Sequence, residues 1–275
     1  MPEATTIYDL ARATGLSPST VSRALRGIGE ISPGTVARVR DSAARLRYRP
    51  NAVARSLAVR GSDSLALMLP DIANPFFPAL VKAVQLRARH HGKTVLLCNT
   101  EGVAEAEAEY LEMLASRQIE GVVAMGLAIT AEEIRRRVGS GMKIVALDRA
   151  AAGAGAASVQ ADHRAGGWMA TDHLLQLGHY AIAHIAGPAQ LSVTIERWEG
   201  YRYRMRQAGI EPWAPAYGDF TESSGHRAAR ELIRSGRHFT AIFCANDLMA
   251  LGAVSALRSV GLGVPAQVSV VGFDD

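Results

Sequence analysis

Residues 15–25 read GLSPSTVSRAL, and this short stretch decides how the first part of the chain folds. Gly15 tolerates a positive φ and ends one helical pattern, after which Ser17 and Pro18 form the start signal of another helix. The apolar residues of that second helix fall on one side. Its other side carries Ser19, Ser22, Arg23 and Arg26. The sequence therefore predicts a short helix that presents hydroxyl and guanidinium groups to a partner.

Two more helices flank this stretch within the first fifty residues. One precedes Gly15, and the other begins at Ser32-Pro33 with the same start signal. Ala11, Gly15 and Val21 follow the spacing of a helix-turn-helix unit. In such a unit the polar side of the second helix faces DNA, where hydroxyls bond to phosphates and arginine can fork onto guanine. The alternative is a three-helix packing module whose arginines are merely solvated.

Positive charge is concentrated in the same region. Residues 1–60 hold ten arginines, no lysine and four acidic residues, which gives this segment a charge of +6. Because the whole chain carries +4, residues 61–275 carry −2. A basic head on a weakly acidic body favours a polyanion-binding module joined to a second function.

Composition and motif content exclude several classes of protein. The chain is 48% hydrophobic, yet no apolar run approaches the ~20 residues of a membrane span. Cys98 and Cys244 each end an apolar run, which predicts buried thiols in a reducing compartment and a cytoplasmic protein. The sequence has no G-x-S-x-G, H-E-x-x-H or P-loop motif, and His90-His91 lacks neighbouring metal ligands. We therefore expect no enzyme activity, no cofactor and no metal site.

A short helical pattern follows the head in YRPNAVARSLAVRGSDS, residues 48–64. Pro50 ends the third helix, and Asn51 can cap about two turns in which Ala54 and Leu57 share a face. A helix this short needs a partner. One interpretation is a minor-groove helix that inserts Leu57 between base pairs, and the other is an interdomain linker whose leucine docks on the body.

Beyond Gly61, short apolar runs alternate with longer amphipathic patterns. The predicted strands are SLALML (64–69), TVLLC (94–98), GVVAM (121–125), KIVAL (143–147), SVQA (158–161), AIAHI (181–185), TAIFC (240–244) and VSVV (268–271). Helices are predicted at 78–91, 103–117 and 165–177, among others. This alternation predicts a doubly wound α/β domain of two lobes, with a ligand cleft beyond the carboxyl ends of the strands. Acids, amides and phenylalanines follow several strands, which suits a small polyhydroxylated ligand.

The head and hinge, TIYDLARATGLSPSTVSRALRG and YRPNAVARSLA, resemble those of the lactose-repressor (LacI/GalR) family of bacterial transcription regulators. The resemblance implies that Pro18, Ser19 and Arg23 lie at base-reading positions, and that Leu57 is a minor-groove wedge with Ala54 beside it. It also implies a set of phosphate contacts: Thr6, Tyr8, Ser17, Thr20, Ser22, Ser32, Thr35, Tyr48 and Asn51. Arg26 replaces an asparagine that is common in the family and could strengthen contact with the DNA backbone.

The body resembles the effector domain of the same family, which is related to periplasmic sugar-binding proteins, through DIANPFF, ALDR, IAGP, ERWEGY, GDFTESSG, FCANDLMALG and VSVVGFDD. The resemblance implies that Arg197, Asn246 and Asp274 contact the effector. The remaining cleft residues implied are Phe76, Phe77, Phe220 and Asp148. Leu191 and Val193 stand where purine-responsive members carry polar groups, which favours a sugar or sugar derivative.

These features predict three segments: an all-α helix-turn-helix head at 1–47, a hinge helix and linker at 48–61, and a periplasmic-binding-protein-like effector-binding and dimerisation domain at 62–275. The last would divide into an N-lobe at about 62–161 and a C-lobe at about 162–275. The expected protein is a cytoplasmic repressor that binds a pseudo-palindromic operator in double-stranded DNA as a homodimer, responds to a small carbohydrate and does not associate with a membrane.

The resemblance carries one further expectation. Family members continue several dozen residues past GFDD, so we expect the C-lobe to be incomplete. The alternative functions are a truncated regulator, or a sugar-binding module without effector-controlled operator binding.

Overall fold

The computed structural model describes residues 5–48, 63–126, 129, 131–138, 141–148 and 157–274. The predicted hinge residues Asn51, Ala54 and Leu57 lie outside the described residues. The chain divides into two compact units, Met1–Ser62 and Asp63–Asp275. Every helix in the described ranges is too short or too polar to cross a membrane.

The first unit consists of three helices, α1 (Ile7–Thr14), α2 (Pro18–Arg26) and α3 (Pro33–Arg45). Ser17 and Ser32 each accept a hydrogen bond from a backbone N–H of the helix that follows, and proline is the first helical residue in both cases. Gly15 has a φ of 66° and caps the C-terminus of α1. The predicted start signals of α2 and α3 and the predicted stop at Gly15 are confirmed, whereas α3 ends at Arg45, before the predicted stop at Pro50.

A small apolar core holds these helices together. Leu10, Val21, Ala24 and Val39 are fully buried, with Ala11 nearly so. The small side chain of Ala11 fits between the first two helices of a helix-turn-helix unit. The apolar side of α2 is therefore buried in the core of the head, and its polar side remains exposed to a binding partner.

The second unit begins with a five-stranded parallel sheet, which we call the N-lobe. Its strand order is β2-β1-β3-β4-β5. The strands are β1 (Ser64–Leu69), β2 (Thr94–Asn99), β3 (Gly121–Met125), β4 (Lys143–Leu147) and β5 (Ala157–Val159). The helices among them are α4 (Phe76–His90), α5 (Ala104–Ser116) and α6 (Ala131–Val138).

A four-stranded parallel sheet follows, which we call the C-lobe. Its strand order is β7-β6-β8-β9. The strands are β6 (Ile182–Ala186), β7 (Ala216–Tyr217), β8 (Ala241–Cys244) and β9 (Ser269–Val271). The helices are α7 (His163–Gln176), α8 (Ser192–Gln207), α9 (Glu222–Arg234) and α10 (Asp247–Ser259). The α/β fold class is confirmed, and each predicted strand overlaps an observed one.

Close helix pairs build the outer layers of the C-lobe. At the crossing of α7 and α8, a Cβ on Gly200 would overlap the carbonyl oxygen of Arg164 and lie 2.7 Å from the backbone nitrogen of Trp168. At the crossing of α9 and α10, a Cβ on Gly252 would lie 2.6 Å from the backbone nitrogen of His226. Only glycine allows the backbones to approach this closely.

Each lobe encloses one free cysteine. Cys98 on β2 and Cys244 on β8 are both buried, as predicted. Burial raises the pKa of the Cys98 thiol to about 11 and also raises the pKa of Cys244. Both thiols are therefore protonated and unreactive in the folded lobes.

Candidate functional site

The exposed face of α2 is the first candidate site. Ser19, Arg23 and Arg26 are exposed on it, whereas Val21 and Ala24 on the opposite face are fully buried. The nine residues of α2 contain no acid, and both of its arginines lie in the last turn. The helix thus offers hydroxyl and guanidinium donors to an anionic, hydrogen-bond-accepting partner.

Several hydroxyls expected near phosphates also hold the helix starts. Ser17 Oγ accepts the backbone N–H of Thr20 at 3.2 Å and lies 2.8 Å from the Thr20 hydroxyl. Ser32 accepts the backbone N–H of Thr35 at 3.3 Å. Thr6 forms a capping box with Asp9 at the start of α1. These positions place hydroxyls at helix N-termini, where backbone N–H groups and the helix dipole favour an anion.

The remaining predicted head residues differ in exposure. Tyr8 is 67% exposed on α1, and Pro18 is the half-buried first residue of α2. Ser22 on α2 is half-buried. Tyr48 packs against the head core, and partial burial raises the pKa of its phenol. The structure brings these residues into one unit, and their contacts with DNA stay a prediction.

The second candidate site lies where strands of the two lobes end. Asp148 follows β4 of the N-lobe, while Asn246 and Asp274 follow β8 and β9 of the C-lobe. Arg197 reaches this region from α8 and is buried. We call the side chains of Asp148, Arg197 and Asp274, with that of His163, the cleft charge cluster.

Arg197 is the centre of the cleft charge cluster. Its Nη1 donates to the carbonyl of Ala245, its Nη2 lies 3.4 Å from Oδ1 of Asp274, and its Cζ lies 3.7 Å from the ring centre of Phe273. Burial lowers the pKa of Arg197 even though the charges of Asp274 and Asp148 raise it. Burial also raises the pKa of Asp274 to about 6, against the opposing effect of Arg197. Both side chains thus lie where little water reaches them, so their hydrogen bonds to the polar groups of a ligand are electrostatically stronger than in water.

His163 belongs to the same cluster, and sequence reasoning missed it. Its Nδ1 accepts from Nε and Nη2 of Arg197, each at 3.3 Å, and its Nε2 lies 3.1 Å from Oδ1 of Asp148. Burial raises the pKa of Asp148, but the contact with His163, the backbone N–H of Ala161 and the charge of Arg197 outweigh it and lower that pKa. No local pattern in the sequence marks His163, because only the fold brings it to partners this distant along the chain.

Asn246 and Phe220 are coupled to each other. Asn246 is buried, its Oδ1 accepts the backbone N–H of Met249 to cap α10, and its Nδ2 donates to the carbonyl of Phe220 at 2.9 Å. Phe220 has a φ of 67°, and its ring occupies the space that a side chain at Gly187 would need. Asn246 therefore holds the loop that carries Phe220, in addition to any contact it makes with a ligand.

The two phenylalanines after β1 lie in the core of the N-lobe. Their rings pack edge to face with centroids 5.3 Å apart, and Phe77 is buried against Leu67 and Leu69. Phe76 packs on the same cluster and is partly exposed. Their proposed role in lining the cleft stays a prediction. Across the part of the chain that the structure describes, no group of His, Cys, Asp or Glu side chains could hold a metal ion.

Comparisons with known families match both units of the chain. Residues 6–51 match the family described as bacterial regulatory proteins, lacI family. Residues 62–275 match the family described as periplasmic binding proteins and sugar binding domain of LacI family. This chain belongs to the LacI family. Membership makes it a DNA-binding transcription regulator and not an enzyme.

Individual LacI-family relatives match this chain over nearly its whole length. The regulator GalR of Salmonella typhimurium is 35% identical over 98% of this chain and 80% of its own length. The repressor PurR of Actinobacillus pleuropneumoniae is 33% identical over 98% and 81%. A lac repressor dimer bound to operator and the anti-inducer ONPF superposes with a TM-score of 0.87 at 29% identity, over 99% of this chain and 83% of that one. The chain spans about four fifths of the length of these relatives.

Proposed function

We propose that this LacI-family regulator is a cytoplasmic repressor that binds a pseudo-palindromic operator as a homodimer, under the control of a small carbohydrate bound between its lobes. In this proposal residues 1–47 read DNA, 48–61 form the hinge, and 62–275 bind the effector and dimerise, with the lobes meeting near residue 161. The exposed, acid-free face of α2 is the observation that carries it. The lac repressor dimer bound to operator supports the assembly by similarity.

Base reading is assigned to Ser19 and Arg23. Arg23 is exposed in the last turn of α2, and its guanidinium can donate two parallel hydrogen bonds to the O6 and N7 acceptors of guanine. Such a pair contributes about 1–3 kcal/mol of discrimination against other bases. Arg26, one residue before the C-cap Gly27, adds positive charge toward the phosphates. The charge of +6 on residues 1–60 supplies the non-specific attraction.

A neutral polyhydroxylated effector suits the cleft charge cluster. Carboxylates of Asp148 and Asp274 accept hydrogen bonds from hydroxyl groups, while Arg197 and the amide of Asn246 donate. With two acids facing one buried guanidinium, an anionic ligand would meet net repulsion when both acids are ionised. The hydroxyl groups of a sugar can donate hydrogen bonds to these carboxylates and accept them from Arg197 and Asn246 without adding charge.

Selection of duplexes from a random library at near-physiological salt, with the full chain, tests the proposal. An enriched palindrome is expected, and Arg23→Ala should relax the preference at one base pair in each half-site. Arg12→Ala is the charge-matched control, since Arg12 is an exposed arginine on α1 that pairs with Asp9. It should weaken binding to all sequences equally. Enrichment of single half-sites, or of nothing, would refute a dimeric repressor of this type.

The effector is tested on the selected operator. A panel of D-glucose, D-galactose, D-ribose and cellobiose, with hypoxanthine as the purine comparison, is titrated while operator binding is followed by fluorescence anisotropy. A change of operator affinity with one of the sugars supports carbohydrate control. A response to hypoxanthine alone would overturn the assignment of effector class.

A further inference from the structure

His163 joins the two lobes through its ring. The residue is 3% exposed and opens α7, the first helix of the C-lobe. Its partner Asp148 follows the last residue of β4 in the N-lobe, whereas its other partner, Arg197, lies on α8 of the C-lobe. A single imidazole therefore contacts charged groups of both lobes.

The chemistry of the partners selects one tautomer of this ring. A guanidinium can only donate hydrogen bonds, so the His163 Nδ1 that faces Nε and Nη2 of Arg197 has to carry a lone pair. In a neutral imidazole the hydrogen then resides on Nε2. That atom lies 3.1 Å from Oδ1 of Asp148, an ion-pair contact that does not have hydrogen-bond geometry, and the structure favours the ionised form of this carboxylate. The opposite tautomer would point an N–H at a cation and a lone pair at an anion.

The same carboxylate anchors the chain segment that leads to His163. The backbone N–H of Asp148 donates to the carbonyl of Val159 at 2.9 Å, and the N–H of Ala161 donates to Oδ1 of Asp148 at 3.1 Å. Asp148 itself has a φ of 52°, in the left-handed region. The segment that joins the lobes is thus hydrogen-bonded to the carboxylate of Asp148. His163 contacts that carboxylate and also accepts hydrogen bonds from Arg197.

We propose that His163, as its Nε2–H tautomer, is a positioning residue that holds Arg197 in place and couples the angle between the lobes to the occupancy of the cleft. A ligand that takes over the ion-pair contact of Asp148 or the hydrogen bonds of Arg197 competes with His163 for them and so alters the link between the lobes. The inference rests on the proposed function, because it takes the cleft as the effector site.

The tautomer is read directly from the unliganded full chain. Long-range proton–nitrogen correlation spectra of uniformly ¹⁵N-labelled protein distinguish protonated from unprotonated ring nitrogens, and the set lost in His163→Gln identifies this ring among the eight histidines. The expected result is an unprotonated Nδ1 and a protonated Nε2. A protonated Nδ1 in the folded protein would overturn the proposal, whatever the variants do.

The link between the lobes is tested with a pair of variants. His163→Phe keeps a ring without nitrogens, whereas the amide of His163→Gln offers one acceptor and one donor. Spin labels at Lys82→Cys on α4 and Glu231→Cys on α9 report the separation of the lobes, since both sites are exposed and the native cysteines are buried. The phenylalanine variant should gain a second population of distances, and the glutamine variant should retain the wild-type distribution. A phenylalanine variant with wild-type distances would refute the coupling.

Ligand binding separates this inference from the proposed function. By calorimetry with the sugar that acts on operator binding, His163→Phe should bind about tenfold or more weakly and His163→Gln within about threefold of wild type, as for loss of a hydrogen-bonded charged group. Equal losses in both variants, with unchanged label distances, would overturn the coupling. If wild type binds no sugar of the panel, the proposed effector class fails, while the tautomer and the label distances still decide the role of His163.

Discussion

His184 on β6 makes the stability of the C-lobe sensitive to acid. Its ring is 1% exposed and stacks with the rings of Trp198, Tyr201 and Phe243, the last at a centroid distance of 4.6 Å. Nδ1 lies 2.9 Å from the carbonyl oxygen of Phe243, and Nε2 has no hydrogen-bond partner among the described residues. Burial lowers the pKa of His184 to about 4. A proton on this ring would place an unsolvated positive charge inside an aromatic stack.

The sign and size of the effect follow from the two pKa values. The ordinary pKa of 6.5 in the unfolded chain exceeds that of about 4 in the folded one, so the unfolded chain binds the proton more tightly. The stabilisation of the folded state that comes from the neutral His184 ring is complete above pH 6.5 and is lost as the pH falls toward 4. Between pH 7 and pH 5 the linkage relation gives a loss of about 2 kcal/mol in the free energy of unfolding.

The assay is urea unfolding at pH 7 and pH 5, followed by tryptophan fluorescence. Trp168, Trp198 and Trp213 all lie in the C-lobe, so the signal reports that lobe. His184→Phe should lose about 2 kcal/mol less than wild type between the two pH values, whatever its stability at pH 7. His90→Gln, on the exposed surface of α4, should retain the wild-type difference. Equal pH dependence in wild type and His184→Phe would refute the reasoning.

Three further results are expected. Gly200→Ala should lower the free energy of unfolding of the C-lobe by more than about 2 kcal/mol, because its Cβ meets the backbone of α7. Gly34→Ala, a helical position with open space around it, should instead raise the stability of the head by up to about 1 kcal/mol. Urea titration followed by tryptophan fluorescence measures the first effect, and urea titration followed by circular dichroism of residues 1–47 measures the second. Ser17→Ala should lower the stability of the head by about 1 kcal/mol through loss of the α2 cap. Ser19→Ala removes only an exposed hydroxyl that lies 2.9 Å from the Ser17 hydroxyl, so it should lower the stability of the head by less than about 0.5 kcal/mol while weakening operator binding. Because the pKa of Asp274 is about 6, effector affinity of wild type should fall between pH 7 and pH 5 as this carboxylate is protonated, and calorimetry of Asp274→Asn should show a flatter profile. Asp148, whose pKa is lowered, stays ionised over that range.

The layers of the fold were predictable because parallel strands are buried on both faces and read as continuous apolar runs. GVVAM and KIVAL coincide with β3 and β4 at both ends. The two-residue β7, Ala216–Tyr217, was missed, since a strand this short beside proline has no periodicity to detect. The run at 158–161 proved to be a three-residue strand at 157–159, because Ala161 instead donates its N–H to Asp148.

The two candidate sites were predictable to different degrees. In the head, caps and helix faces are local properties, so Ser17, Pro18 and Gly15 could be placed from neighbouring residues alone. In the cleft, strand ends located Asp148 and Asp274, but no local rule placed His163 between the lobes. Packing also gave Asn246 a contact that spacing does not encode, the hydrogen bond from its Nδ2 to the carbonyl of Phe220.

Because Cys98 and Cys244 are buried in different lobes, the reaction rates of their thiols report the opening of each lobe separately. A thiol reagent modifies each sulfur only when its own lobe opens, so the two labelling rates, read by mass spectrometry of the two peptides, time the opening of each lobe in one sample. No engineered probe is needed. A ligand that slows the labelling of both thiols binds to and stabilises both lobes, whereas a ligand that slows the labelling of Cys244 alone stabilises only the C-lobe.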